Sequence, residues 1–462
     1  MPAVLLPDHH GGTIVMLNPH DYVDIENGSQ AKSIFWDSGL YEQELERVFA
    51  RCWLFLTHES AIPNAGDFFT TFMGQDAVLV VRQDDGSVKA FLNYCQHRGN
   101  KVCFADSGNA KAFTCNYHGW SYGGDGRLAA VPLEHEVYLG GFDRTAHALE
   151  PLAQVESYRG FVFGCMDPDA PPLAEYLGEM GWYLDSFMVG DGQGAELVGP
   201  PMKSILRCNW KIPTENFIGD GYHIPWTHVS SIMALGSEIA TIFGDTTQLQ
   251  KVGMQITTRH GHGFAAAHGA GPLLMPSIPE YKAYFETQRP KVAEMLGPVR
   301  AEKFYGAHWD GSIFPNCSFL YGTNTWKVWH PRGPNEIEVW TWSLVEKSMP
   351  AELKRQVVDG AIRTFGTAGL LESDDGENME SCTQSNVGWK ARRGRMVSNM
   401  ALSEGRRHPD MPGIVGDGAL GELAQRGFYR FWAEVMAARD WDEVRAGTQD
   451  WDAPWQRSAT GR

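Results

Sequence analysis

Basic residues are in short supply: 39 Lys and Arg stand against 56 Asp and Glu, a net charge of −17 over 462 residues. Such a chain is repelled by nucleic acid and by anionic membranes, so neither is expected as a partner, whereas a basic protein would suit its surface. No run of eighteen apolar residues occurs, which excludes a membrane-spanning helix. Cysteine is sparse and scattered. Of the eight, only Cys95 and Cys115 fall in a ligand-like pattern, so a disulfide framework is not expected and a reducing, cytoplasmic setting is. The apolar run Ala3 to Pro7 is too short for a secretory signal and has no basic segment before it. No G-x-G-x-x-G opening a βαβ unit and no P-loop is found, so the chain is not expected to bind NADH itself. Internal repeats and low-complexity tracts are lacking too. What is present is an ordinary globular composition, 43% apolar and 21% charged, on a chain long enough for two or three domains.

The most informative stretch holds two Cys and two His, as Cys95-Gln96-His97 and Cys115-Asn116-Tyr117-His118, with seventeen residues between the pairs. Arg98-Gly99 and Gly119-Trp120 follow them, residues suited to tight loops. Two thiolates and two neutral imidazoles can hold a tetrahedral zinc or a [2Fe–2S] cluster. Zinc ribbons usually draw two thiolates from a single knuckle. Here each knuckle supplies one sulfur and one nitrogen, which allows both Cys on one iron and both His on the other, the Rieske arrangement.

Around this motif the pattern is one of strands. Ala77–Arg82 and Val88–Asn93, joined by a turn at Asp84-Asp85-Gly86, read as a hairpin delivering Cys95 at a strand end. Residues 154–164 supply another strand pair, and Asp167–Pro172 reads as a Pro-rich linker. Before it, residues 1–36 read as an extended arm, and Leu40–Phe49 as an amphipathic helix presenting Tyr41, Leu45, Val48 and Phe49. Beyond the linker the chain reads as mixed α/β. Ser318–Trp329 and Ile337–Lys347 are expected to form one long hairpin, followed by helices over Pro350–Phe365 and Gly421–Trp441.

A second stretch, Asn209 to His228, carries His223 and His228. On an ideal helix, residues five apart are about 140° apart, too far for both rings to reach one ion. Pro225 between them would break or bulge such a helix and could bring the rings together. Two His and one carboxylate form the triad that leaves an iron open on one side. Glu372, Asp374 and Asp375 are candidates for that carboxylate, and position alone does not choose among them. An acidic cluster of this kind is also an ordinary helix start.

The strings FLNYCQHRGN (91–100), FTCNYHGW (113–120), ENFIGDGYHIPWTHVS (215–230), FGTAGLLESDDGENME (365–380) and GFYRFW (427–432) resemble the large (α) subunit of bacterial Rieske non-haem iron ring-hydroxylating dioxygenases, in the naphthalene and polycyclic-aromatic branch. The resemblance implies an α+β fold. An all-β Rieske domain would span 52–172. A catalytic domain with a helix-flanked antiparallel sheet of helix-grip type would span 173–462, joined by the arm and helix of 1–51. It implies Cys95, His97, Cys115 and His118 on the cluster, and His223, His228 and Asp375 on a mononuclear Fe(II), with Asn216 beside the iron. Asp220 would bridge His223 to His118 of a neighbouring subunit. Phe217, Gly221, Ile224, His308, Leu320, Phe365, Leu371 and Met379 would line the substrate pocket, with Phe365 controlling regiochemistry. Naphthalene-type relatives tend to carry Trp where Leu371 stands, which implies more room here. The implied reaction is cis-dihydroxylation of an arene with O2 as co-substrate. Electrons would come from NADH through a separate reductase and ferredoxin, and a small β subunit would complete an α3β3 hexamer. A Rieske monooxygenase or demethylase, and a Rieske electron carrier without catalysis, are the alternatives.

Overall fold

The computed structural model describes residues 4–7, 13–16, 18–236, 247, 250–251, 253–267, 271, 278–402, 405–452 and 455. Burial at every position, not at alternate ones, marks the strands at its centre: Gly263–Ala267 and Cys317–Tyr321 are buried throughout. Strands of this kind are covered on both faces. They belong to a nine-stranded antiparallel sheet. Its spatial order is Ala195–Leu206, Glu336–Glu346, Thr325–Gly333, Cys317–Tyr321, His308–Ile313, Gly263–Ala267, Gly253–Thr257, Met411–Asp417 and Arg406–His408.

Side-chain parity along two of these strands decides what each face meets. Trp326, Trp340 and Trp342 point to one face and meet Phe55 and Phe69 of the N-terminal β domain, with ring centroids 5.3–6.0 Å apart. Lys327, Trp329 and Thr341 point to the other face. There Trp329 meets Phe217 at 5.0 Å and Lys327 reaches the helix Leu370–Asn386. The sheet thus separates the β domain from the helices that carry the second site.

The N-terminal β domain contains a four-stranded sheet in the order Val88–Leu92, Asp76–Arg82, Asp67–Met73, Ser107–Asn109, and two three-stranded sheets. Its expected hairpin is present, with Val78 opposite Leu92 and Gly86 at φ 83° in the turn. The domain has a small core of its own, formed by Phe68, Leu79, Val81, Phe91, Phe113, Trp120 and Tyr122 around Cys95 and Cys115. Other apolar residues of the domain, among them Phe55, Phe69, Val78 and Phe163, merge with the core of the large sheet.

The N-terminal segment is more ordered than an extended arm. Ser29–Ala31 pairs with Arg395–Val397, and Arg395 donates to Ser29 Oγ and to its carbonyl. Residues 1–3, 8–12 and 17 of that arm lie outside the described residues. The expected helix begins at Ser38, capped by Asp37, and its last turn, Leu45–Phe49, widens to a π-helix. Glu44 on its buried face accepts from Trp210 Nε1, Trp432 Nε1 and Lys211 Nζ at 2.6–2.8 Å, tying residues 38–49 to the catalytic region.

Two other expectations need correction. The stretch Ser318–Trp329 is two strands, because Gly322 and Asn324 take positive φ (132° and 59°) and turn the chain. The second strand of that pair also runs on through Pro331 to Gly333, so the hairpin loop is shorter than expected. The C-terminal helix ends at Ala437 and a new one starts at Trp441. Leu423–Ala433 is buried on every side, since sheet strands cover one flank and the N-terminal segment the other. Its buried Arg426 and Arg430 are satisfied by backbone carbonyls of 398–401 and 450–451.

Candidate active site

The two Cys–His loops have the same backbone design. Cys95 N–H donates to Asn100 O and Gly99 N–H returns to Cys95 O, both at 2.8 Å. In the second loop Cys115 N–H donates to Trp120 O and Gly119 N–H to Cys115 O, at 2.8 and 2.9 Å. Gly99 and Gly119 both adopt left-handed backbone, φ 71° and 74°, which favours glycine, and a Cβ on Gly119 would also strike Pro132. These loops bury both sulfurs and leave both imidazoles nearer the surface, with the His97 and His118 rings 4.5 Å apart. His97 stacks on Trp120 at 4.9 Å.

The donor set suits a [2Fe–2S] cluster. Asn100 Nδ2 lies 3.6 Å from Cys115 Sγ, and Tyr122 Oη 3.3 Å from Cys95 Sγ. Burial would raise the Cys115 thiol, but hydrogen bonds from the Tyr117 backbone and Asn100 outweigh it and hold the thiol below its usual range. Burial, His118 and Arg98 together lower His97, favouring the neutral imidazole that a metal requires. His97 Nδ1 is buried and has no hydrogen-bond partner among the described residues, as fits a ligand atom.

The second site grows from a break between short helices. Contrary to the sequence expectation that it breaks or bulges a helix, Pro225 does not interrupt one. It sits in the first turn of Ile224–Thr227, with His223 just before that turn and His228 at the joint with Val229–Leu235. The joint turns both rings inward. His223 Nε2, His228 Nε2 and Asp375 Oδ1 lie 3.2–3.3 Å from one another. A triangle of that size lets all three reach one ion at roughly 2.0–2.2 Å. Asp375 Oδ1 is buried and accepts no well-aligned hydrogen bond from the described residues. Among the described residues this is the one group of three that could hold a single ion in this way.

The other ring nitrogens are engaged. His223 Nδ1 lies against the Asp220 carbonyl and 3.4 Å from its Oδ2, while His228 Nδ1 is 3.2 Å from Asp374 Oδ2. Ser231 Oγ donates to the same Asp374 oxygen at 2.8 Å. Oxygen acceptors at both Nδ1 atoms put the proton there and leave each Nε2 lone pair for a metal. Burial alone would lower His223 and raise Asp375. The Asp220 and Asp375 carboxylates instead push His223 well up, and the two imidazoles hold Asp375 well below the carboxylate range.

Geometry thus separates the three acidic candidates. Asp375 faces the two His, Asp374 orients one of them, and Glu372 turns to Lys327 Nζ at 2.7 Å. Lys327 is fully buried and also donates to Thr341 Oγ1 and to the Phe365 carbonyl. Burial pulls Lys327 down and Glu372 up, each opposed by the other's charge. Glu372→Leu is expected to cost about 3–5 kcal/mol of stability, as for a buried pair that loses one partner. The double variant Lys327→Met/Glu372→Leu should recover most of it in denaturant titrations.

A pocket opens over the triad. It is lined by Asn216, Phe217, Ile224, Ile232, His308, Asp310, Leu320, Phe365 and Leu371, together with His223, His228 and Asp375. Of the expected lining residues, Gly221 packs against Ala419 and Leu420 instead, and Met379 is buried in the core outside the lining. Ile232 and Asp310 were not expected. Asp310 follows His308 by two positions in a strand, a spacing that places both on one face. Ile232 carries no such signal.

A β domain with two Cys–His loops, joined to a helix-flanked sheet with a two-histidine, one-carboxylate site, defines an oxidoreductase with two iron centres. Comparison with known proteins narrows the class. Residues 52–156 match the Rieske [2Fe–2S] domain and residues 173–438 the ring hydroxylating alpha subunit (catalytic domain). The chain is 43% identical over 428 residues to the large oxygenase component of the naphthalene 1,2-dioxygenase system of Pseudomonas aeruginosa, covering 92% of this chain and 95% of the relative. It is 40% identical over 435 residues to biphenyl 2,3-dioxygenase subunit alpha of Rhodococcus jostii (strain RHA1), covering 92% and 93%. A solved naphthalene 1,2-dioxygenase with indole in its active site superposes with a TM-score of 0.91 at 39% identity, covering 96% of this chain and all of that one. The chain belongs to the ring-hydroxylating alpha-subunit family, as the large oxygenase component of an aromatic-ring dioxygenase. Its cofactors are a Rieske [2Fe–2S] cluster and a mononuclear iron, with O2 as co-substrate and electrons from a separate reductase. The electron-carrier and monooxygenase alternatives are not favoured.

Proposed function

We propose that the chain catalyses cis-dihydroxylation of two- to four-ring aromatic hydrocarbons such as naphthalene, phenanthrene or pyrene. His223, His228 and Asp375 would hold the iron, and Cys95, His97, Cys115 and His118 the cluster. The observation that carries this reading is the convergence of His223 Nε2, His228 Nε2 and Asp375 Oδ1 at the floor of a pocket walled by Phe217, Ile224, Ile232, Leu320, Phe365 and Leu371. An apolar wall suits an arene without a polar handle. When bound, the cluster delivers single electrons and the iron activates O2. The chain's own residues orient the two imidazoles through Asp220 and Asp374 and hold the ring against Phe217 and Phe365. In balance, the arene takes up O2, two electrons and two protons to give the cis-dihydrodiol. Turnover of phenanthrene under labelled O2, with NADH, reductase and ferredoxin supplied, should place both labels in one dihydrodiol. Faster turnover of benzoate or salicylate than of phenanthrene would overturn the substrate assignment.

The relatives are named as large oxygenase components of multi-component systems. For this chain the reading extends to a ferredoxin and reductase, a small β subunit, an α3β3 assembly and a cytoplasmic setting. In that assembly Asp220 would bridge His223 to His118 of the partner subunit. Support comes from exposed apolar residues at both ends of the bridge: Tyr117 beside His118, and Tyr222 and Trp226 flanking His223. Asp220→Asn is expected to leave both metals bound while slowing reoxidation of the reduced cluster by roughly 10–100-fold in single-turnover experiments. Loss of the mononuclear iron with no separate transfer defect would count against the bridge.

A further inference from the structure

Of the twelve residues lining the pocket, six are apolar and four polar ones, Asn216, His223, His228 and Asp375, belong to the metal end. His308 and Asp310 remain. They lie two positions apart on the strand His308–Ile313, on the same face of the sheet, whereas the metal-end residues come from the helical side. His308 Nε2 is 3.1 Å from Asp310 Oδ1, yet that oxygen is buried and receives no well-aligned hydrogen bond from the described residues. The Asp310 side chain is only 14% exposed.

A carboxylate in an apolar pocket is costly to desolvate unless a donor reaches it. A pure hydrocarbon covering Asp310 strips its remaining water and gives nothing back. A ring N–H or O–H aimed at the exposed part of the carboxylate, away from the oxygen that faces His308, restores the lost bond, and a hydrogen bond to a charged group is among the stronger kinds. We infer that His308 and Asp310 form a specificity element that selects arenes carrying a hydrogen-bond donor, such as N-heteroaromatics and hydroxyarenes, over their hydrocarbon isosteres. The inference rests on the pocket being the arene site of the function proposed above and refines its substrate class. Asp310 acts here by binding and orienting the ring, with His308 holding the carboxylate in place. Position of the donor on the ring then fixes which edge of the ring is turned toward the metal end.

Indole and indene test this, since they share a shape and differ in N–H against CH2. Equilibrium dialysis of the iron-loaded holoenzyme under anaerobic conditions gives both dissociation constants without turnover. The native protein should bind indole more tightly than indene by about tenfold or more, the scale of one charge-assisted hydrogen bond. Asp310→Leu should reduce that ratio about tenfold or more. Asp310→Asn, which keeps a carbonyl acceptor but no charge, should give an intermediate ratio and serves if the leucine variant does not fold. A ratio near one in the native protein, or an unchanged ratio in both variants, overturns the inference, and oxidation of naphthalene in the same preparation would show that the proposed function survives it. The expected ratios in a preparation that forms no dihydrodiol from any arene would uphold the selectivity and remove the dihydroxylation.

Discussion

Asp375→Ala is expected to empty the mononuclear site, dropping bound iron from three to two per chain, while the cluster's visible absorption is unchanged. The triad offers three ligand atoms within 4.8 Å of one another, and removing one leaves two imidazoles with no anionic partner. Neutral imidazoles alone neither balance the ion's charge nor fix its position. Turnover should then fall to background, because electrons reach a centre that cannot use them. Asp374 provides the internal comparison. It touches His228 Nδ1 and Ser231 but does not point into the triad, so Asp374→Asn should weaken iron binding by roughly 10–100-fold and be rescued by excess Fe(II). Equal iron loss that excess metal does not restore in the Asp374 variant, with normal iron in the Asp375 variant, would reverse the two roles. Iron assay with visible spectra separates these outcomes.

Cys95→Ala is expected to abolish the cluster, and with it the visible absorption and the EPR signal of the reduced protein. Cys95 is 2% exposed at the centre of the small core that also contains Cys115, Trp120 and Tyr122. Without the cluster these loops lose the group that ties them together, so the β domain should also unfold at lower temperature. Turnover with NADH, reductase and ferredoxin should vanish, since the entry point for electrons is gone. Cys103→Ala is the control. Cys103 lies in the same core but its sulfur contacts the Ala105 carbonyl, so this variant should keep the full spectrum. Retention of the cluster spectrum in Cys95→Ala would refute the ligand assignment.

How much could be read in advance depended on distance along the chain. The cluster loops and the hairpin before them are local objects. A glycine with positive φ and a short return hydrogen bond give each loop its shape within five residues. Helix 351–365 was equally plain, because Leu353, Val357, Ala361 and Phe365 repeat at helical spacing and are buried. The turn at Gly322–Asn324 was in fact written locally, as the polar stretch Gly322-Thr323-Asn324-Thr325 between Cys317–Tyr321 and Trp326–Trp329, and was missed because the flanking segments were taken together as one strand. Burial of Leu423–Ala433 on all sides was missed because its two arginines signal solvent by composition, and only their backbone carbonyl partners make them buried residues.

The sequence by itself determined which residues could bind metal and that two centres share one chain, because ligand type and short spacing are written in neighbouring residues. By residue type and spacing it left the third ligand among Glu372, Asp374 and Asp375, and only the family resemblance singled out Asp375. The tertiary structure separates the three, since successive positions on one helix point about 100° apart and their surroundings come from remote segments. Lys327 on the sheet claims Glu372, and His228, some 150 residues upstream, meets Asp374 and Asp375 with its two nitrogens. The pocket has the same origin. Phe217, His308, Phe365 and Leu371 become neighbours only when the strand and three helices that carry them pack together. Contacts across such separations are set by sheet parity, helix phase and burial, none of which a local pattern contains.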